Sequence, residues 1–328
     1  MEQLFKSTQA YRLLKKECGE QNCSHAYLLT CADPKNLRFI EKLFAKVLFE
    51  CDEPEYEQGE TRKEMERRAK LIDEESFSDC IFLPEDGKKL MVEDAEKVLE
   101  ESVLSPIEGD RKVFVLGDFS QANTQTQNKL LKVLEEPPKN VIFLLGATTT
   151  FSVLPTVLSR AKKLEIQAFD VEKIKNCLVR LYQNRFDMQT LELCAAASGG
   201  YIGEAQNLLE GGYYKTLLES AFALCLEENS RLPLLFKTVG ETKYKKELLS
   251  LLRLIFRDAM LLKSGLSQNK KALLLKSETE RLAKMTEKYS LSALLYAQEA
   301  ISKAELQVQF NAVFAQCIGI CISNIREK

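Results

Sequence analysis

The stretch SHAYLLTCADPKNLRFIEKLFAKVLF, residues 24–49, joins a short apolar run to an amphipathic helix through a polar loop, and its reading decides the fold. Tyr27 to Leu29 is a short apolar run separated from the next such run by a helix, the pattern of a buried strand. Over residues 37–49, Leu37, Ile40, Phe44, Val47 and Leu48 fall on one helical face, with Glu41, Lys42 and Lys46 expected to face away. Further along the chain, Ile81 to Leu83, Val113 to Leu116 and Val141 to Leu145 repeat the strand pattern. A helix is predicted through Asn123 to Glu136, with Leu130, Leu131 and Leu134 as its apolar stripe. Pro137-Pro138 stops it, because proline lacks the N–H donor and disfavours helix in the residue before it. This alternation over residues 25–166 predicts an α/β core with a parallel sheet.

From about residue 167 the strand signals disappear. Gly199-Gly200 and Gly211-Gly212 bracket a short helix, YIGEAQNLLE, and mark a small helical domain over 167–212. Residues 213–328 read as a longer all-helical domain, through LLESAFALCLEE, ELLSLLRLIFRDAMLLKSG and LSALLYAQEAISKAELQVQFNAVFAQCIGICISNI. The predicted organisation is therefore 1–166, 167–212 and 213–328.

Composition excludes several function classes. Lys plus Arg is 46 and Asp plus Glu is 48, a net charge of −2, which argues against gripping nucleic acid by charge alone. The single histidine, His25, excludes a His-rich metal site or a two-histidine acid/base scheme, and it reads as a turn or packing residue. The ten cysteines include no C-x-x-C pair and read as reduced thiols of a cytoplasmic protein; Cys317 and Cys321, at i, i+4, read as a buried helix face. The charged N-terminus lacks an apolar signal region, and no stretch approaches the ~18 apolar residues of a membrane span, so no membrane association is expected. The charged run over 52–75 reads as a solvated helix.

A nucleotide-binding βαβ unit would place a glycine-rich loop between its first strand and helix, with bare N–H groups approaching the phosphates and a lysine neutralising them. Here the segment is Cys31-Ala32-Asp33-Pro34-Lys35-Asn36-Leu37-Arg38. It has no glycine, and Asn36, Leu37 and Arg38 stand where Gly, Lys and Ser/Thr would be required. After the strand at 113–116, where a metal-binding Asp and a water-polarising Glu would be expected, the chain reads Gly117-Asp118-Phe119. Asp118 alone more often caps a turn.

The surroundings of these gaps resemble the bacterial sliding-clamp loader subunits. Residues 24–30, the degenerate loop and 44–48 are similar to the first strand, P-loop and helix of that family. Gln127-Asn128-Lys129-Leu130-Leu131-Lys132-Val133-Leu134-Glu135-Glu136-Pro137-Pro138 is similar to its most recognisable block. Val141 to Leu145 with Thr148 resembles its sensor-1 strand. Leu154-Pro155-Thr156-Val157-Leu158-Ser159-Arg160 matches its Ser-Arg-Cys motif, with Ala161 replacing the cysteine. The resemblance implies a RecA-like AAA+ core, a helical lid and an all-α collar that joins subunits.

Within the family the loss of the P-loop and the retention of Ser159-Arg160 fit the delta prime type, a non-hydrolysing stator without independent catalytic activity. The sensor-2 arginine would fall near Gly203, where no arginine stands. The resemblance then implies that Arg160 acts in trans as an arginine finger. The implied partners are gamma or tau ATPase subunits and the delta subunit, with the sliding clamp and primed DNA met through the assembled complex. An active gamma/tau-type ATPase, the clamp-opening delta subunit and a scaffold outside replication stay as alternatives. Family members commonly insert a four-cysteine zinc module before a turn that here corresponds to Ser78-Asp79. Only Cys51 lies in that interval, with Cys80 just after it, so neither zinc nor ATP is expected as a cofactor.

Overall fold

β-branched and aromatic runs with no polar alternation need burial on both faces, and the sheet supplies it. The structure, a computed structural model, describes residues 1–85, 87–183, 185–265 and 273–328. The chain divides into two compact units, Met1–Gln167 and Ala168–Lys328. The first contains, in order, α1 (Glu2–Lys6), α2 (Gln9–Gly19), β1 (Ala26–Cys31), α3 (Leu37–Leu48), α4 (Gly59–Asp73), β2 (Cys80–Leu83), α5 (Val92–Ser102), β3 (Lys112–Leu116), α6 (Thr124–Glu135), β4 (Val141–Ala147), α7 (Pro155–Leu158) and β5 (Lys162–Ile166). The strands form one sheet in the order β2-β3-β4-β1-β5, every pair parallel. This is the RecA-like α/β core that the resemblance implies.

Every residue of β1, β3 and β4 is buried, so these three central strands carry the core. Phe114 and Phe143 stack across the β3–β4 pair with ring centroids 5.6 Å apart. One face packs Leu28, Phe114, Leu116, Phe143 and Leu145 against Leu130, Val133 and Leu134 of α6. Asn123 caps α6 by accepting from the Thr126 N–H at 2.8 Å, and the helix ends just before the proline pair. α7 is a one-turn helix that opens on Pro155 and carries the chain to Ser159 and Arg160. β5 was not among the expected strands: it lies at the sheet edge, and its two lysines and Glu165 leave only Leu164 and Ile166 buried.

The second unit is helical among its described residues: α8 (Val171–Tyr182), α9 (Met188–Ala197), α10 (Ile202–Gly211), α11 (Tyr214–Leu226), α12 (Leu232–Gly240), α13 (Lys245–Lys263), α14 (Thr279–Lys288), α15 (Leu291–Gln309) and α16 (Phe314–Arg326). The last apolar stretch is broken between α15 and α16, where Asn311 takes φ 59°, a left-handed conformation that asparagine tolerates. Cys317 and Cys321 lie on the buried face of α16 with Phe314, Ile318, Ile322 and Ile325. Among the described residues no helix is long and apolar enough to cross a membrane.

Candidate functional site

In an open parallel sheet the crevice beyond the carboxyl ends of the strands, where the strand order reverses, is where ligands bind. β1, β3 and β4 all point their carboxyl ends into one such crevice. Cys31 closes β1, Gly117 and Asp118 follow β3, and Thr148 follows β4. The fold thus brings the loop residues, Asp118 and Thr148 together.

The loop after β1 is closed on itself. Asp33 is 2% exposed, and its carboxylate accepts the Asn36 backbone N–H at 3.3 Å and the Asn36 amide at 3.0 and 3.2 Å. An anion-binding loop would leave that N–H free at the start of α3, where the helix dipole favours negative charge. Here a resident carboxylate has taken it. Cys31 is buried beside this carboxylate, and burial pushes its thiol up to about 12.

Arg38, the second residue of α3, closes the crevice from the other side. Its guanidinium makes a two-pronged pair with Glu75, Nε to Oε1 at 3.0 Å and Nη2 to Oε2 at 2.6 Å, donates to the Pro84 carbonyl at 3.3 Å and lies 4.8 Å over the Phe82 ring. Glu75 reaches it from φ 56°, an unusual conformation for a glutamate, just beyond the end of α4. Lys42 adds a second cation to Glu75 at 2.9 Å, and Lys46 pairs with Asp73 at 2.7 Å. Burial pushes the Glu75 carboxyl up, but the hydrogen bonds from Arg38 and Lys42 outweigh it and hold the group below its ordinary value.

Glu41 corrects the helical-face reading. It does not face solvent; it is fully buried, with its carboxylate against Gly146 of β4 and 3.7 Å from the Arg38 Nη1. Neither of its oxygens has a hydrogen-bond partner. Burial raises its carboxyl from the ordinary 4.5 to about 8; Arg38 opposes the rise, and nearby Asp118 and Glu75 add to it. A glycine inside a strand marks close approach by another group, and this one admits the glutamate.

Asp118 caps a 3-10 turn at Phe119–Gln121, and its oxygens are fully engaged. It accepts from the Ser120 N–H at 3.3 Å, the Ser120 hydroxyl, the Gln121 amide at 2.8 Å, and both the N–H and hydroxyl of Thr148 at 3.1 and 2.8 Å. Gly117, beside it, lies against the Leu83 carbonyl and the Arg38 guanidinium. The acidic residue after β3 and the polar residue after β4 therefore form a network with each other.

Ser159 and Arg160 lie outside this crevice, after α7. Arg160 donates from Nη1 to the Thr156 carbonyl at 2.7 Å and to the Ser159 Oγ at 3.2 Å, and pairs through Nη2 with Glu135 at the end of α6. Its side chain is about 29% exposed. The recognisable block and the Ser-Arg element are thus physically joined, a partnership that neither motif shows by itself. Gly203 lies in the first turn of α10, in the second unit. His25 packs as expected, its Nε2 3.1 Å from the Leu134 carbonyl.

Cys51 and Cys80 are both buried, and burial raises both thiols above their ordinary value, Cys51 to about 12. Among the described residues no group of three or more His, Cys, Asp or Glu side chains is placed to hold a metal ion. Asp79 instead organises backbone: fully buried, it accepts the N–H groups of Ile107, Glu108 and Gly109 at 2.6, 2.7 and 2.8 Å.

Sequence comparison gives this architecture relatives. DNA polymerase III subunit tau of Escherichia coli (strain K12) is 29% identical over 172 residues, 50% of this chain and 27% of the relative. The tau/gamma subunit of Haemophilus influenzae is 28% identical over 197 residues, 57% of this chain and 27% of the relative. The match spans about a quarter of the length of each of these relatives. Among solved structures, a gamma subunit-related protein of Thermotoga maritima is 16% identical with a TM-score of 0.39, covering 98% of this chain and 99% of its own. The family model described as DNA polymerase III, delta subunit matches residues 6–170, the whole of the sheet-bearing unit apart from its first helix, and the chain belongs to that family.

Proposed function

We propose that the chain is a delta prime-type subunit of a DNA polymerase III clamp loader, a stator that hydrolyses no ATP and completes the ATP site of a neighbouring subunit with Arg160. The observation that carries this reading is the crevice itself. Asp33 holds the amide that a phosphate would need, Arg38 is committed to Glu75 and the Pro84 carbonyl, and Asp118 is committed to Ser120, Gln121 and Thr148. Opening this crevice for Mg-ATP would break several charge-assisted contacts, and the loop offers no lysine or hydroxyl at the required positions to replace them. Arg160, in contrast, stands at the surface, tethered only by contacts that a partner's phosphates can replace.

In this reading the partners are tau- or gamma-type ATPase subunits and a delta subunit, with the clamp and primed DNA engaged through the assembled complex in the cytoplasm. No nucleotide or zinc belongs to the chain as cofactor. Thermal unfolding of the isolated chain with millimolar Mg-ATP tests this. A low-micromolar site would stabilise the fold by RT ln(1 + [L]/Kd), about 4 kcal/mol at a thousandfold excess. The stator reading expects no shift. The tau and gamma relatives make an active ATPase the second reading, and a shift of that size would favour it. Tight binding of the isolated chain to the sliding clamp would favour the delta role instead.

A further inference from the structure

Away from the crevice, the turn from α2 to β1 sets two thiols against each other. Gln21 takes φ 52° just beyond the helix, donating its N–H to the Cys18 carbonyl at 3.0 Å, while the Asn22 N–H reaches the Glu17 carbonyl at 2.9 Å. This paired closure fixes the chain reversal after a helix. It returns Cys23 to Cys18 with the two Sγ atoms 3.1 Å apart.

The pair is also reachable. Of the ten cysteines nine are buried, and Cys23 alone keeps partial exposure. It borders an open cavity of about 410 Å³ shared with Ser24, His25, Arg111 and Asn140. Arg111 is held in place by the Leu48 carbonyl at 3.1 Å and by Asp110 at 3.1 Å, so it presents a fixed positive charge there. The hydrogen bond from Cys18 brings the Cys23 thiol down to about 7; burial opposes this and Arg111 adds to it. Cys18 is moved the opposite way, chiefly by the same hydrogen bond and by burial.

We propose that Cys18 and Cys23 form a peroxide-sensitive dithiol that closes to an intrachain disulfide. The Cys23 thiolate attacks a hydroperoxide, its sulfur–oxygen bond forms as the O–O bond breaks, and the departing oxygen leaves as water or alcohol after taking a proton. The Cys18 sulfur then attacks the Cys23 sulfenic acid. The S–S bond forms, the S–O bond breaks, and hydroxide leaves with the Cys18 proton as a second water. Two thiols are oxidised by two electrons and one peroxide is reduced, so no further oxidant is required.

The test uses the full reduced chain, exposed to hydrogen peroxide, quenched, unfolded in urea in the presence of iodoacetamide so that every free thiol is alkylated, and cut with trypsin. Cleavage after Lys16 and Lys35 releases residues 17–35, which carry Cys18, Cys23 and Cys31. The alkyl groups on this peptide should fall from three to one, retained on Cys31, and return to three when dithiothreitol precedes alkylation. Cys23→Ser should abolish the loss, and Cys18→Ala should leave a Cys23 sulfenic acid that dimedone traps. Retention of three alkyl groups after peroxide, irreversible oxygen addition at Cys23, or a cross-link between chains would each overturn the proposal. Because Cys23 is only partly buried, Cys23→Ser decides the matter even if Cys18→Ala folds poorly.

Discussion

The carboxylate of Glu41 fills the space that a side chain at position 146 would need, so that a Cβ built on Gly146 would overlap the Glu41 Oε1. One residue on α3 and one on β4 are thereby fixed to each other. Gly146→Ala should destabilise the chain by about 1–3 kcal/mol in urea unfolding, as overpacking does. Combining it with Glu41→Ala should recover part of that loss, because the two residues compete for one volume. Additive losses in the double variant would show that the two do not share the space.

The same carboxyl makes stability depend on pH. Its folded value near 8 lies above the ordinary 4.5, so the folded chain holds a proton that the unfolded chain releases between those values. Its contribution is therefore fully present below about pH 4.5, declines as pH rises, and is gone above about 8. The decline is at most about 1.4 kcal/mol per pH unit. Glu41→Gln, neutral at every pH, should be more stable than the parent at pH 8 and should lose that advantage at pH 5. Parallel stability curves for the two proteins would contradict this assignment.

Glu41 also marks where the sequence stopped being legible. The strands at 27–29, 81–83, 113–116 and 141–145 could be read because buried parallel strands need uninterrupted apolar runs. α6 could be read because Asn123 and the proline pair punctuate both ends. Glu41 could not, since a charged residue between apolar neighbours on a helix normally faces water; the signal for its burial was Gly146, a glycine inside an apolar strand. β5 was hidden because an edge strand needs only one apolar face. In the crevice the missing phosphate loop was plain from Asn36, Leu37 and Arg38. The partner that holds Arg38 was not, because Glu75 lies 37 residues away and reaches it from a left-handed backbone conformation.

Arg38→Ala should cost about 2–3 kcal/mol in urea unfolding, since it removes the two-pronged pair and leaves Glu75 with Lys42 alone. The side chain keeps 24% of its exposure, which places the loss below that of a wholly buried pair. Arg38→Lys should rescue little of it, because an ammonium cannot make the two-pronged contact. A loss within 0.5 kcal/mol, approximately the level of an ordinary surface substitution, would show that the cluster does not hold the crevice shut.

Thr148→Val removes a hydroxyl donor from Asp118 and should cost about 1–2 kcal/mol. In a complex assembled with ATPase partners it should leave steady-state hydrolysis unchanged, because in the proposed reading Thr148 serves a structural network. A several-fold fall in hydrolysis with assembly intact would identify Thr148 as part of a working ATP site in this chain.

The trans role in the proposed function falls to Arg160, whose guanidinium is held at the surface by Glu135 and the Thr156 carbonyl. An arginine supplied to a neighbour's phosphates is worth ~10³–10⁵ in rate at the site it completes. The decisive measurement compares ATP hydrolysis by complexes reconstituted with the parent chain and with Arg160→Ala, alongside their assembly by size-exclusion chromatography. The account predicts intact assembly with hydrolysis lost at one site, so that total turnover falls in part and Arg160→Lys restores little of it. Equal hydrolysis in the two complexes, with assembly unchanged, would contradict it.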